Sequence, residues 1–331
     1  TRGETDDARE LISGMPNPMF AAEILSAIAV SQARNGDSAA VGRTLGELLT
    51  FAGASGKPAE TISLLAGLAP KLFAAGAEDA AKQLLQVALD NAHDATIEPL
   101  QRDRAMGEVA AIYVRLGQAE TARALMAKIE NSALRRPVLM ALAENSLESG
   151  EGQAALLDAA DVTDSRYRVV ALSYVAIAQA RGGNIEGARS SIAQARTDST
   201  KIDARFTYAK AFAVSRIAAA LAEMRGYEDA ASAASEIEDG GLRAQSFWYL
   251  ASVQARDGNA ASAQTRSLAL RATESITSDL DRSWTLSRLA LSSAARGEWR
   301  LATTTFDAAL AIAQGINNSF ARATALANLA T

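Results

Sequence analysis

The sequence predicts an all-α protein, an α-solenoid of about eight antiparallel helix pairs. A small turn carrying Gly recurs along the chain, alanines stand at constant distances from it, and the composition favours packed helices. Of 331 residues, 49% are hydrophobic, 5% are aromatic and six are Pro. Ala loses no side-chain entropy in a helix and lets backbones approach closely, so this mixture suits helix packing better than sheet.

The turn glycines are Gly36, Gly76, Gly117, Gly150, Gly183, Gly226, Gly258 and Gly297, with gaps of 40, 41, 33, 33, 43, 32 and 39 residues. Fixed-period self-similarity of this length marks repeat architectures. Seven residues before each Gly stands an alanine: Ala29, Ala69, Ala110, Ala143, Ala176, Ala219, Ala251 and Ala290. Five residues after come Val41, Ala81, Ala122, Ala155, Ala188, Ala231, Ala263 and Ala302. Gly supplies the left-handed state that ends a first helix, and only small side chains fit where the paired helices cross. The residue before the first alanine column is apolar in every unit, from Ile28 to Leu289, and fills the core. The four longer gaps carry about two extra helical turns, expected to lengthen helices or loops on one edge.

These columns resemble the tetratricopeptide repeat family. In the last unit Leu286, Leu289, Ala290, Gly297, Trp299, Ala302, Phe306 and Ala309 fall at that family's small and large positions, and the Gly226–Tyr227 unit is a weaker relative. Elsewhere the first-helix aromatics are mostly Leu, Gln or Ser, and the Pro that ends the second helix is missing. The resemblance covers nearly the whole chain and implies a right-handed superhelix whose first helices line a concave groove. One domain over 1–331 is expected, with incomplete repeats at both ends. Gly3 and Ala8 fit the turn and second-helix columns, and Arg322, Leu326, Leu329 and Ala330 match the first half of another unit. Solenoid ends need polar caps, so the expectation is that each end is covered by another copy, a partner or further sequence.

Arg102, Arg135, Arg168, Arg243 and Arg282 each sit fifteen residues before a turn Gly, with Asp or Glu usually just upstream. They read as inter-repeat ion pairs or acidic helix caps, against a ladder of ligand-binding arginines.

Chemistry leaves little trace. His93 is the one histidine, expected at a solvated helix end, so neither a three-histidine zinc site nor a Ser–His–Asp triad can be assembled. The chain has no Cys, which removes disulfides, thiolate metal sites and thiol nucleophiles. The 38 acidic residues always offer some glycosidase-like carboxylate pair, but most sit at helix starts and turns (Asp37, Glu78, Asp79, Glu228, Asp229, Glu298). Asp6-Asp7-Ala8-Arg9-Glu10 reads as a helix N-terminus. Gly150-Glu151-Gly152 and Gly182-Gly183-Asn184 read as repeat turns rather than phosphate loops, and no nucleotide fingerprint occurs. No cofactor, metal or enzymatic activity is therefore expected. A formal charge of −5 argues against nucleic-acid partners. No apolar run is long enough for a transmembrane helix. The chain does not open on Met and shows no signal-peptide core, so an N-terminal segment was removed in maturation or the chain is a piece of something longer. The missing cysteines fit any compartment; together with the missing Met they favour an extracytoplasmic, periplasmic location, with the cytoplasm as the alternative.

Charge and aromatics are uneven. Residues 1–165 hold 14 basic and 23 acidic side chains, residues 166–331 hold 19 and 15, and 13 of 17 aromatics lie in the second half. In the implied groove, inward positions are expected thirteen, ten, six and two residues before the turn Gly. In the later units these offsets give Val170, Ser173, Ile177 and Arg181, then Arg216 and Met224. They continue with Gln245, Trp248, Ser252 and Arg256, then Trp284, Ser287 and Leu291. The equivalent early positions, such as Glu23, Ser26, Ser63, Ala66 and Gly107, are blander. Arg forks suit carboxylates and Trp gives broad apolar contact, although Phe247, Trp248 and Tyr249 are adjacent and one must face the core. The leading expectation is a scaffold for a protein or peptide partner of acidic character. A carrier of a hydrophobic small molecule or lipid, and a self-assembling homo-oligomer, are the alternatives.

Overall fold

A computed structural model describes residue 12 and residues 15–92, 97–149 and 152–330 of the chain. Among these, every regular element is a helix. In order they are α1 (Pro18–Arg34), α2 (Ser38–Ala54), α3 (Pro58–Ala74), α4 (Glu78–Ala92), α5 (Pro99–Arg115), α6 (Ala119–Met126), a 3₁₀ turn (Ser132–Arg135) and α7 (Arg136–Ser149). They continue with α8 (Gly152–Ala160), α9 (Ser165–Arg181), α10 (Ile185–Ser199), α11 (Thr207–Glu223), α12 (Tyr227–Ser235) and α13 (Gly240–Arg256). The last are α14 (Ser262–Glu274), α15 (Asp279–Ala294), α16 (Trp299–Gly315) and α17 (Ser319–Ala330). Chain contacts group into two compact units, Thr1–Asn145 and Ser146–Thr331.

Within each unit the helices pair as expected of an α-solenoid. In the first, α1 packs on α2, α3 on α4 and α5 on α6; in the second, α9 packs on α10, α11 on α12, α13 on α14 and α15 on α16. Successive first helices also pack side by side, α1 on α3 on α5 and α9 on α11 on α13 on α15 on α17. Second helices instead touch their own first helix and the next one, so the first helices form the inner layer of each unit. The expected half-unit after the last turn is present as α17, packed on α15 and α16.

Local chemistry starts these helices where they begin. Asn17, Asp37, Asp164, Asn184 and Asp239 each accept a hydrogen bond from a first-turn backbone N–H, and Pro18, Pro58 and Pro99 open helices where no donor is needed. The pairs are closed by a repeated turn. In it a left-handed residue is followed by an N-cap whose N–H bonds to the carbonyl five residues back: Asp37 to Gln32, Ala77 to Leu72, Gln118 to Tyr113, Asn184 to Gln179. Gly36, Gly76, Gly117, Gly183, Gly258 and Gly297 take positive φ there.

One turn departs from the expected register. The equivalent N-cap bond runs from Gly226 to Leu221, so Gly226 is the N-cap with φ −79° and Arg225, φ 61°, holds the left-handed position. A side chain in that region costs roughly 1–2 kcal/mol relative to Gly. The corrected alanine contact is therefore Ala218 with Ala230, 3% and 0% exposed, not Ala219 with Ala231. A second departure follows Gly258, where α14 starts only at Ser262; Ala263 points to solvent, while Thr265 and Ala269 are buried. Elsewhere Ala29, Ala69, Ala110, Ala143, Ala176 and Ala251 are fully buried, as are Ala81, Ala122 and Ala188 on their partners. Gly150, Gly3, Ala8, His93 and the Asp6–Glu10 cluster lie outside the described residues.

The uneven spacing sits in the second helices. Those in the longer repeats, α2, α4, α10 and α14, have 17, 15, 15 and 13 residues; those in the shorter ones, α6, α8 and α12, have 8, 9 and 9. First helices have 16 or 17 residues, apart from α7 with 14, which follows a 3₁₀ turn, and the last, α17, with 12.

The arginines at first-helix starts serve the stack. Arg135, Arg243 and Arg322 each donate to the carbonyl of the isoleucine six residues upstream, Ile129, Ile237 and Ile316, whose side chains are buried. Arg168 makes a two-pronged bond to Asp198, and Arg102 reaches Glu130, so these ion pairs close the end of one pair rather than bridge repeats. Arg282 is the exception: its buried Nε has no partner among the described residues. Within pairs, Thr44 donates to Gln32 and Ser191 to Gln179, twelve residues apart. The equivalent partner of Gln254 is Arg266, which pairs with Glu298 instead, and Gln254 Oε1 is left buried without a partner among the described residues.

The register is open to a direct check. Ala230→Leu inserts bulk at a closed helix crossing and is expected to destabilise by about 1–3 kcal/mol. Ala231→Leu, one position round the helix, is expected to cost less than about 1 kcal/mol. Urea midpoints of the two variants against the parent give the comparison.

Candidate functional site

The inner layer of the second unit shows which first-helix positions face outward. Counting back from the left-handed residue, a helix of 3.6 residues per turn places positions 13, 9, 6 and 2 within about 60° of one another, while position 10 lies about 60° from position 13 on the other side. Position 10 turns into the neighbouring first helix, and its occupants Ser173, Ser215, Trp248 and Ser287 are all buried, at 0, 1, 2 and 4%. Position 9 is less enclosed, carrying the half-buried Tyr174, Arg216 and Tyr249 and the exposed Arg288 on successive first helices.

The expected groove residues therefore divide. Ser173, Ile177, Trp248 and Ser287 are packing residues and leave the surface list; Phe247 is buried with Trp248. Gln245 and Ser252 are half-buried, and Trp284 and Leu291 are 43% and 59% exposed. Arg181, Arg216 and Arg256 reach the face. Arg216 holds position 9, because ten residues before Gly226 is nine before the left-handed Arg225, and by the same offset Glu223 rather than Met224 holds position 2.

Two clefts lie on this layer. The first, at the N-terminal ends of α11, α13 and α15, has a volume of about 580 Å³. Phe212 and Arg216 stand one turn apart on α11, with the guanidinium 5.1 Å from the ring centroid; Trp284 and Arg288 repeat the arrangement on α15 at 4.9 Å. Gln245 lies between them on α13, and Tyr208 at the rim is 64% exposed. Neither guanidinium has a carboxylate partner among the described residues; Arg216 Nε donates to Ser215 Oγ at 3.3 Å. Asp239 and Asp281 also line it, but Asp239 Oδ1 is engaged by the N–H of Leu242. The wall is close because α13 opens on Gly240: a Cβ there would sit 2.5 Å from Ser275 Oγ and 3.1 Å from Ile276.

The second cleft, about 510 Å³, lies at the turn ends of α9, α11 and α13. Position 2 carries Arg181, Glu223 and Arg256 in succession. The Glu223 side chain is 2% exposed and accepts from Arg181 at 2.7 Å, from Arg256 at 2.9 Å and from Tyr249 Oη at 2.6 Å. Burial pushes the Glu223 carboxyl up, but the bonds from Arg256, Arg181 and Tyr249 outweigh it and hold its pKa below the usual glutamate value. Burial, then the bond to Glu223, pushes the Tyr249 phenol up to about 12. Asp257 is held down first by the hydrogen bond from Tyr227, then by Arg256 and Arg225.

Glu223, Tyr249, Phe212 and Arg288 were missed in the sequence. The alternation Arg181, Glu223, Arg256 was readable only with the turn at 225. In the first unit the corresponding layer carries Glu23, Ser63, Leu64 and Glu108 around clefts of about 610 and 690 Å³, with Arg34 and Lys71 toward the turns. Among the described residues, no group of His, Cys, Asp or Glu is arranged to hold a metal ion, and no helix is long and apolar enough to cross a membrane.

The fold and face define an all-helical protein of stacked helix pairs with an aromatic and arginine-rich inner layer in its second unit. No known family's sequence pattern matches the chain, and no curated protein matches it. Among solved structures it is similar to the crystal structure of Ton1535 from Thermococcus onnurineus NA1, at 18% identity over 86% of this chain and 83% of that one, with a TM-score of 0.36.

Because Glu223 titrates below its unfolded value, its contribution to stability is present above about pH 4.3 and is lost as pH falls below that toward the folded pKa. Glu223→Gln is expected to lower stability at pH 7 by about 2 kcal/mol and to flatten the pH dependence below about pH 4.3. Urea unfolding from pH 3 to 7 measures both, and parallel curves for parent and variant would contradict the assignment.

Proposed function

We propose that this chain is a non-enzymatic recognition scaffold of tetratricopeptide-like character, whose second unit takes an acidic peptide segment of a protein partner. The observation that carries the reading is the first cleft, lined by two aromatic–arginine modules whose guanidiniums have no carboxylate partner among the described residues. A guanidinium stacked on a ring is already oriented, keeps its in-plane N–H fork for a carboxylate, and is weakly hydrated. Trp284 and Tyr208 offer apolar area beside it at small entropic cost, as anchoring residues at interfaces do. The matching ligand is a peptide with one or two carboxylates flanking an apolar side chain.

The titratable groups of the face support binding over catalysis. Glu223 is driven down and Tyr249 up to about 12, away from the range in which a general acid or base works near neutrality. A carrier of a hydrophobic ligand draws less support, because each cleft of the second unit's face is rimmed by charged side chains.

Selection of displayed random peptides on the immobilised protein is expected to enrich sequences with Asp or Glu beside an apolar residue. Trp284→Ala is expected to weaken the selected peptides by about 30-fold, as for a hot-spot aromatic, and Arg288→Glu by at least tenfold. Fluorescence anisotropy of labelled peptide reads both. Peptides without acidic preference, or affinities unmoved in both variants, would defeat the proposal.

A further inference from the structure

The second cleft holds a feature that the peptide reading leaves unused. Arg225 is the one non-glycine residue with positive φ among the described residues, at a turn position that Gly occupies in six other turns. A glycine stands next to it at 226, yet the strained position carries the arginine. Its one ion pair among the described residues, Nε to Asp257 Oδ2 at 3.4 Å with the arginine side chain 75% exposed, is too long and too solvated to offset that strain. Strained residues of this kind cluster at ligand sites, where the side chain's position matters more than the backbone's ease.

Arg225 lines the same cleft as Arg181 and Arg256. The acids there are already engaged: Glu223 by Arg181, Arg256 and Tyr249, and Asp257 by Tyr227, Arg225 and Arg256. Those bonds hold the guanidiniums in place without using them up. Arg181 engages Glu223 and Tyr249 through Nε and Nη2, so among the described residues its Nη1 makes no bond, and neither terminal nitrogen of Arg225 makes one. The side chains of Arg181 and Arg256 stay 43% and 53% exposed. Three guanidiniums against two carboxylates leave the cleft with one net positive charge.

We propose that this cleft is a binding site for a phosphate-type dianion, with Arg181, Arg225 and Arg256 as its donors. A planar carboxylate is satisfied by one arginine fork. Donors arriving from the end of α9, from the turn after α11 and from the end of α13 suit a tetrahedral group with oxygens in several directions. The site stands on the turn geometry and the arginine cluster, independently of the peptide cleft.

Isothermal titration of the full chain with inorganic phosphate, at constant ionic strength in chloride, is expected to show one saturable site, with acetate at least tenfold weaker. Arg225→Gly should weaken phosphate at least tenfold while raising the melting temperature by about 2 °C, since Gly relieves the strained turn. That pairing separates a lost ligand contact from a damaged fold. O-phosphoserine peptide amide and inorganic phosphate are compared on the parent: tighter peptide binding identifies a phosphorylated side chain as the source, tighter inorganic binding a free phosphate. Absence of saturable binding, acetate as tight as phosphate, or Arg225→Gly binding phosphate as the parent does would each overturn the proposal.

Discussion

The structure depends on one close contact, the packing of a first helix on its second, which in most of the described pairs falls where small side chains are buried. Ala176 on α9 and Ala188 on α10 are both fully buried between these packed helices, and side chains with no atoms beyond Cβ let paired backbones approach closely. The left-handed turn sets where that contact falls. Its bond from the N-cap N–H to the carbonyl five residues back fixes how the chain leaves the first helix, and hence which positions of the second meet it. Length varies most in the second helices, from 8 to 17 residues, while the first ones keep packing on one another.

The inner layer follows from the same constraint. Because first helices lie side by side, a residue ten positions before the turn is pressed between neighbours and one nine before is only partly covered. Small hydroxyl residues suit the closed position: Ser173 satisfies its hydroxyl on the Val169 carbonyl. The second unit then places Phe212, Trp284 and their arginines at one end of the face and the Arg181–Glu223–Arg256 array at the other. The buried glutamate is tolerated because its oxygens receive donors from three side chains, which a lone buried carboxylate would lack. Its arginines keep donors over for other uses.

Much of the architecture was legible from residue spacing. All described turns but one fall on the glycines expected, the alanine columns are buried in nearly every described unit, and the excess length is helical. The exceptions have local causes. At Arg225 the chain closes its turn one residue before the available glycine, so the residue type that signals a turn misplaced it. After Gly258 the second helix starts late, at Ser262, and Ala263 leaves the contact. The arginine column was visible, but its partners were not: donation to the carbonyl six residues upstream leaves no mark in the partner's side chain, apart from the recurring isoleucine at that place.

By itself the sequence determined that this is a helix-pair stack, where its turns fall to within one residue, and that aromatic and basic side chains concentrate in the later repeats. Those properties are local, set by backbone freedom at Gly, by side-chain size and by composition. Tertiary structure alone decided which of two adjacent positions on a first helix faces outward, and so buried Trp248 while exposing Trp284. It also decided that Arg181 and Arg256 converge on Glu223. One helical position is a rotation of about 100°, a difference that neighbours packed from both sides resolve and a single strand of spacing does not.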